Sequence, residues 1–259
     1  MLKRTVSLAL LLVMVTCLFA SCAQTADTIL SIADDELSKI DYTVNTQIVY
    51  SSTNEELKAA IEGMDAVSMT FSKKGHSSKS VANMSIDGVA VEKEYLITAG
   101  VLYYTYTEYD GTEVFALTEK VNLNADERAA IYEDIGMQAP ISYNDFETID
   151  IQTKKSVDLI TCEKLKVDSA VAMEKLVKSN LGISGADVSV NSAELVYKLV
   201  DGQYNGEFLT VKYTIQIGET NYDLEMLITR EYDFATPVDI TAPTDADKYV
   251  QTTYAELTK

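Results

Sequence analysis

Residues 188–229 read VSVNSAELVYKLVDGQYNGEFLTVKYTIQIGETNYDLEMLIT, and this stretch decides the fold. Three runs within it alternate apolar and polar side chains with a period of two. Leu195, Tyr197 and Leu199 are in phase in Val188–Val200. Val211, Tyr213, Ile215 and Ile217 are in phase in Phe208–Ile217, and Tyr222, Leu224, Met226 and Ile228 in Tyr222–Thr229. Successive strand residues point to opposite faces, so each run buries one face and leaves the other to solvent. The connections Asp201–Gly206 and Gly218–Asn221 are hairpin-sized, so the stretch is an antiparallel meander.

Working towards the N-terminus, Asp168 or Ser169 caps a helix through Val171, Met173, Leu176, Val177 and Leu181, stopped by Gly182. Val157–Lys166 is extended. A helix over about 125–135 has Asn124 as its cap and Gly136 as its stop, and Pro140 reopens extended chain. Val81–Ile86 and Val89–Ile97 flank the turn signal Asp87-Gly88, and Asp110-Gly111 joins Val101–Tyr109 to Glu113–Leu117. In Val101–Tyr109 one face carries Tyr103, Thr105 and Thr107, the other Leu102, Tyr104 and Tyr106. Apolar side chains on both faces predict a central strand that is covered, at least partly, on both sides. Residues 64–71 alternate again, with the basic run Lys73–Lys79 as a hairpin loop. Thr53–Gly63 has a capping threonine, a glutamate three residues on and a stopping glycine, the pattern of a short helix. Tyr42, Val44, Thr46, Ile48 and Tyr50 share one face of a first strand. Strands in meanders with short helices before them make the class α+β. A helix and a meander in each half hint at two similar halves, 40–140 and 141–250, of one domain over 40–259.

The N-terminus reads MLKRTVSLALLLVMVTCLFASCAQ. Lys3 and Arg4 precede an apolar stretch from Val6 to Leu18, and small residues then precede a cysteine, as in a signal peptide. That stretch falls short of the roughly 20 apolar residues of a permanent membrane span. Leu18-Phe19-Ala20-Ser21-Cys22 resembles the lipobox of bacterial lipoproteins, with Phe19 where leucine is usual. The resemblance implies a signal peptide over 1–21 and diacylglycerol on Cys22. It also implies a place at the outer face of the bacterial cytoplasmic membrane, with 22–39 as a tether whose later part fits a short helix carrying apolar Ile29, Leu30, Ile32 and Leu37. Two acyl chains anchor stably where one binds only marginally.

Beyond the lipobox and tether, two runs carry a wider resemblance. They are Tyr103-Tyr104-Thr105-Tyr106-Thr107-Glu108-Tyr109-Asp110-Gly111-Thr112-Glu113-Val114 and the closing run from Tyr232 to Pro243. Together these features resemble the LolA/LppX/LprG-like superfamily, and within it Firmicute lipoproteins of that architecture. The resemblance implies a curved antiparallel half-barrel sheet with short helices packed on its concave face, and a cavity between them that takes a lipid or another apolar ligand. The in-phase residues Tyr103, Thr105, Leu195, Tyr197, Tyr213, Ile215, Leu224 and Met226 then either line such a cavity or belong to a filled core.

Composition narrows the function. Without residues 1–21 the chain has 19 basic against 40 acidic side chains, a net charge near −21. Binding a nucleic-acid backbone needs Lys and Arg to neutralise phosphates, so nucleic acid is excluded as a main partner. Cys162 has no partner left for a disulfide once Cys22 is acylated. A cysteine nucleophile would want a histidine base, and His76 lies in the polar run Lys73–Lys79. One histidine gives no zinc-ligand spacing, Asp245-Ala246-Asp247 does not continue as an EF-hand, and no Gly-rich phosphate loop occurs. The expectation is a non-enzymatic lipoprotein without metal or cofactor. It is either a carrier of an apolar ligand or an envelope structural or interaction protein with a filled core.

Overall fold

The computed structural model describes residues 25–55, 57–58, 67–86, 89–111, 113–134, 141–181, 187–236 and 238–257. Cys22, the expected signal peptide over 1–21 and most of the expected helix Thr53–Gly63 lie outside them. The first helix, α1 (Ala26–Lys39), is capped by Thr25, whose Oγ1 accepts from the Thr28 amide at 3.3 Å. It is longer than the short helix expected in the later part of the tether, because Ala26, Ile29, Leu30 and Ala33 form one buried stripe at helical spacing, while Ile32 stays exposed.

Six strands follow: β1 (Tyr42–Ser52), β2 (Val67–Lys74), β3 (Ser77–Ile86), β4 (Val89–Thr98), β5 (Val101–Asp110) and β6 (Glu113–Asn122). Helix α2 (Ala125–Asp134) starts where expected. The Asn124 side chain accepts from the Glu127 amide and the Glu127 carboxylate from the Asn124 amide, both at 2.9 Å. A 3₁₀ turn (Tyr143–Asp145) leads into β7 (Phe146–Lys154) and β8 (Val157–Leu165), and α3 (Val167–Leu181) precedes β9 (Asp187–Val200), β10 (Gln203–Ile217) and β11 (Thr220–Asp233). A short β12 (Val250–Gln251) and the single turn α4 (Tyr254–Leu257) close the described chain.

All twelve strands form one open sheet in the order β12-β6-β5-β4-β3-β2-β1-β11-β10-β9-β8-β7. Every pairing is antiparallel except that of β12, which runs parallel to β6. The architecture is therefore α+β around an open sheet. Two meanders, β2–β6 and β7–β11, flank β1, which joins the chain's beginning to its end by pairing with β11. The turns are tighter than the sequence suggested. Asp201 (φ 51°) and Gly202 (φ 78°) are both left-handed, which makes a two-residue hairpin whose twist suits the strands it joins. The basic run contributes only Gly75 and His76 to its turn, and Ser77 already belongs to β3.

β5 is not central. It lies between β4 and β6, with only two residues of β12 beyond. It is partly covered on both sides nonetheless, since the C-terminal segment folds back over the face opposite Leu102. There Tyr249 meets Tyr103 edge-to-face at 5.4 Å, and the Tyr249 and Thr105 hydroxyls are 3.1 Å apart.

Candidate functional site

Register pairs carry one face continuously across the sheet. Cys162 pairs with Leu195, Leu195 with Leu209, Val211 with Met226, Ile228 with Ile48 and Tyr232 with Val44. Val44 pairs with Phe71, and beyond it Ile97 pairs with Leu102 and Leu102 with Val121. This inner face holds both clusters of buried residues. The first draws on α1, α3, β1 and β7–β11, and the second on β1, β2, β4–β6 and Ile131 of α2.

Six of the eight residues singled out from the sequence meet here. Leu195, Tyr197, Tyr213, Ile215 and Met226 are buried members of the first cluster, and Leu224 packs against it. Tyr213 and Met226 have 0% of their surface accessible. A wall around a space wide enough for an acyl chain would retain accessible area, so these two side chains touch protein atoms on every side. Tyr103 and Thr105 do not join them. They lie on the outer face beneath Tyr249, because residues 103 and 105 have the opposite parity to Leu102. Cys162 is buried in the first cluster, where desolvation pushes its thiol up to about 11, and His76 sits exposed at the β2–β3 turn. The structure keeps the nucleophile and the base apart.

A polar centre that periodicity did not single out crosses the inner face. Glu207 and Arg230 are register partners on β10 and β11. Arg230 Nη1 donates to Glu207 Oε2 at 2.7 Å, and the Tyr232 hydroxyl donates to Glu207 Oε1 at 2.5 Å. Both carboxylate oxygens are therefore satisfied in a buried setting, where an unpaired charge would be costly. Burial opposes the Arg230 charge, but Glu207 foremost, together with Tyr232 and Tyr42, offsets this and holds the guanidinium above its ordinary value. Desolvation, and then the Glu207 charge, push the Tyr232 hydroxyl well up. Around the pair runs an aromatic chain. Tyr197 contacts Tyr204, Tyr204 stacks on Tyr232 at 5.3 Å, Tyr232 stacks on Phe234, and Tyr42 joins Tyr232 to Phe71. The Tyr204 hydroxyl donates to Asp34 Oδ1 at 2.8 Å, and Lys73 Nζ donates to the Ser38 and Ile40 carbonyls. These bonds seat α1 and neutralise its C-terminal end.

The pair was readable. Glu207 shares the parity of Leu209, Val211 and Tyr213, and Arg230 that of Met226 and Ile228. Opposite charges at core parity, equally far from one hairpin turn, are a cross-strand ion pair.

Cover thins over β3–β6. On the inner face Tyr95, Tyr104 and Tyr106 are half-buried, Leu117 is 39% exposed and Phe115 58%. Lys93 lies over the Tyr106 ring at 5.9 Å, and the Tyr106 hydroxyl bonds the Glu108 carboxylate.

A cleft of about 770 Å³ opens elsewhere, between the start of α3 and β8–β11. Val167, Ala170 and Val190 share its lining with Glu194, Lys212 and Glu225, and none of the eight expected wall residues belongs to it. Lys212 and Glu225 face each other there at 3.8 Å. Among the described residues no group of three or more His, Cys, Asp or Glu side chains converges as a metal site, and no helix is long and apolar enough to cross a membrane.

No family model matches the chain, and no curated protein does. Among solved structures, the ywiB protein from Bacillus subtilis is similar over 74% of this chain and 91% of its own, at 10% identity and a TM-score of 0.18. An inactive mutant of the CurJ dehydratase, in complex with a compound, is similar over 80% of each chain at 10% identity and a TM-score of 0.12. At such scores neither likeness carries an argument about this chain.

Proposed function

We propose that the protein is a lipid-anchored, non-enzymatic interaction protein of the bacterial envelope, with a filled core and its sheet presented to a protein partner. The reading takes Cys22 as the acylated residue and the outer face of the cytoplasmic membrane as its place. It takes the open sheet as a curved half-barrel with α1–α3 on the concave face, as the LolA/LppX/LprG-like resemblance implies, and the flanking meanders as two similar halves. One observation carries the choice of a filled core over a lipid cavity. Tyr213 and Met226, expected in a cavity wall, have no accessible surface, and the neighbouring Val211, Leu199, Ile160 and Cys162 have none either.

Native mass spectrometry with lipid extraction tests it, on a chain starting at Ala23 so that the Thr25 cap of α1 is kept. The expected result is a clean apo mass, unchanged after incubation with the host's lipids. A reproducible adduct that extracts as one lipid class would overturn the filled-core reading. The carrier reading has its own support in the half-covered Tyr104, Tyr106, Phe115 and Leu117. An adduct lost on substituting Phe115 and Leu117 would place the ligand there. The anchor is tested separately: Cys22→Ser should release the protein from the membrane fraction.

A further inference from the structure

The sheet has two long edges, and they are built differently. β7 is blunted. Its Glu147, Asp150, Gln152 and Lys154 are exposed, and the Gln152 amide donates to Asp150 at 3.0 Å. Charged side chains along an edge discourage another strand from adding to it. β6 has no such defence. Between Glu113 and Glu119 it reads Val-Phe-Ala-Leu-Thr, without charge or proline. Val114 is 63% exposed on one face, and Phe115 and Leu117 are exposed on the other.

The edge already accepts a strand over part of its length. Val250 and Gln251 pair parallel with Glu119 and Lys120, and the Thr252 amide donates to the Lys120 carbonyl at 3.0 Å. Among the described residues nothing pairs with the same edge from Glu113 to Thr118. Those six positions span about 20 Å of strand.

The surroundings are acidic. Glu108, Asp110 and Glu119 lie on β5 and β6, and Asp245 and Asp247 lie on the segment leading to β12. The nearby cations are engaged: Lys120 Nζ donates to the Ala246 carbonyl at 2.8 Å, Lys248 is 3.8 Å from Asp245, and Lys93 lies over Tyr106. A second copy of this chain would bring the same carboxylates and a net charge of −19 to the contact, which disfavours self-pairing.

We propose that the Glu113–Thr118 edge of β6 docks an extended, basic segment of a protein partner, with apolar residues alternating with Lys or Arg, as an added strand. Main-chain hydrogen bonds would supply affinity, and Val114, Phe115 and Leu117 with the flanking carboxylates would supply selectivity. The inference rests on the interaction reading above and names its surface.

The test uses the full chain in phosphatidylcholine nanodiscs and a fluorescent peptide of alternating Lys and Val. The same peptide N-methylated on alternate amides is the control, and hydrogen exchange is followed by mass spectrometry. Binding should weaken about tenfold or more with the methylated peptide, the worth of one or two net hydrogen bonds. It should weaken similarly in Phe115→Lys/Leu117→Lys, whose exposed sites spare the fold, and it should fall as salt is raised. Exchange should slow at 113–118 and not at 146–154. Equal binding of the methylated peptide, no binding, or protection elsewhere would overturn the proposal. So would protection of 113–118 without peptide, from a concentration-dependent dimer or from the nanodisc. A lipid adduct in native mass spectra would remove the interaction reading itself. Peptide failure beside a clean apo mass would remove only this edge.

Discussion

The β7–β11 half of the inner face and the β2–β6 half follow the same alternation, yet they differ in what covers them. Over β8–β11 the helices α1 and α3 contribute Leu30, Ala33, Met173 and Val177 to a closed cluster, and Leu199, Val211, Tyr213 and Met226 have no accessible surface. Over β2–β6 the cover comes from Ile131 of α2, Leu37 of α1, Phe234, and Tyr254 and Leu257 of the C-terminal turn, packed on the cluster that holds Ile97, Leu102 and Val121. The end of β5 and β6 away from that cluster leaves Tyr106, Leu117 and Phe115 partly uncovered. The first half is therefore covered along its length, and the second is closed at one end and has surface to spare at the other. Tolerance to truncation should follow that division.

The largest effect belongs to the ion pair beneath the aromatic chain. Arg230→Met leaves the Glu207 carboxylate buried without its cation and should cost about 3–5 kcal/mol, as breaking a buried pair does. Glu207→Gln in the same background should recover part of that loss, because the second charge is then gone. Urea denaturation of the single and double variants reads both. A cost below about 1 kcal/mol for Arg230→Met would mean that water reaches the pair and that this half is not closed.

Leucine truncation compares the halves directly. Leu199→Ala, at a site with no accessible surface, should cost about 3 kcal/mol from lost transfer energy and the cavity left behind. Leu117→Ala, already 39% exposed, should cost less than about 1 kcal/mol. Equal costs would show that the open half is as tightly covered in solution as the closed one.

Much of the strand pattern was legible in the sequence, but the contrast in cover between two halves that read alike was not. Period-two alternation placed Tyr42–Tyr50 and the three strands of 188–229 on their correct faces, and Asn124 announced its own cap. Alternation fixes which residues of a strand share a face but not which strands are neighbours. The pairing of β1 with β11 joins residues far apart in the chain, and no local pattern carries it. β5 shows the same difficulty in reverse. With Tyr103 on one face and Tyr104 on the other, parity was ambiguous, and the wall expected from Leu195 to Met226 was extended to Tyr103 and Thr105 on the outer side. Tyr249, distant in sequence, covers that side. β7 carries little strand signal in the sequence because Glu147, Asp150 and Lys154, which blunt its edge, dilute its apolar rhythm.

Alkaline pH should open the closed half. Burial raises the Cys162 thiol from 9.0 to about 11 and the Tyr50 hydroxyl from 10.0 to about 12. Their neutral forms belong to the folded state, so their contribution is complete below the unfolded values and is lost as pH rises through the folded ones. Stability should therefore decline between about pH 9 and pH 12. In a chain starting at Ala23, Cys162 is the one thiol left, and at neutral pH it should react with iodoacetamide only at the rate of opening. Prompt labelling of the native protein at neutral pH would contradict the packing around it.

The smallest expected effect tests how finely the closed half is fitted. The Tyr213 ring is wholly buried, yet its hydroxyl has no hydrogen-bond partner among the described residues. Tyr213→Phe keeps the ring in place and removes a buried polar group that makes no bond, so stability should be unchanged or rise by up to about 1 kcal/mol. Tyr213→Ala would instead leave a cavity and cost about 3–5 kcal/mol. The pair separates two roles for one side chain. If the ring only fills space, Phe is as good as Tyr. If Phe costs more than about 1 kcal/mol, the hydroxyl is bonded in solution. The closed half would then hold a polar partner, such as an ordered water, at the Tyr213 hydroxyl.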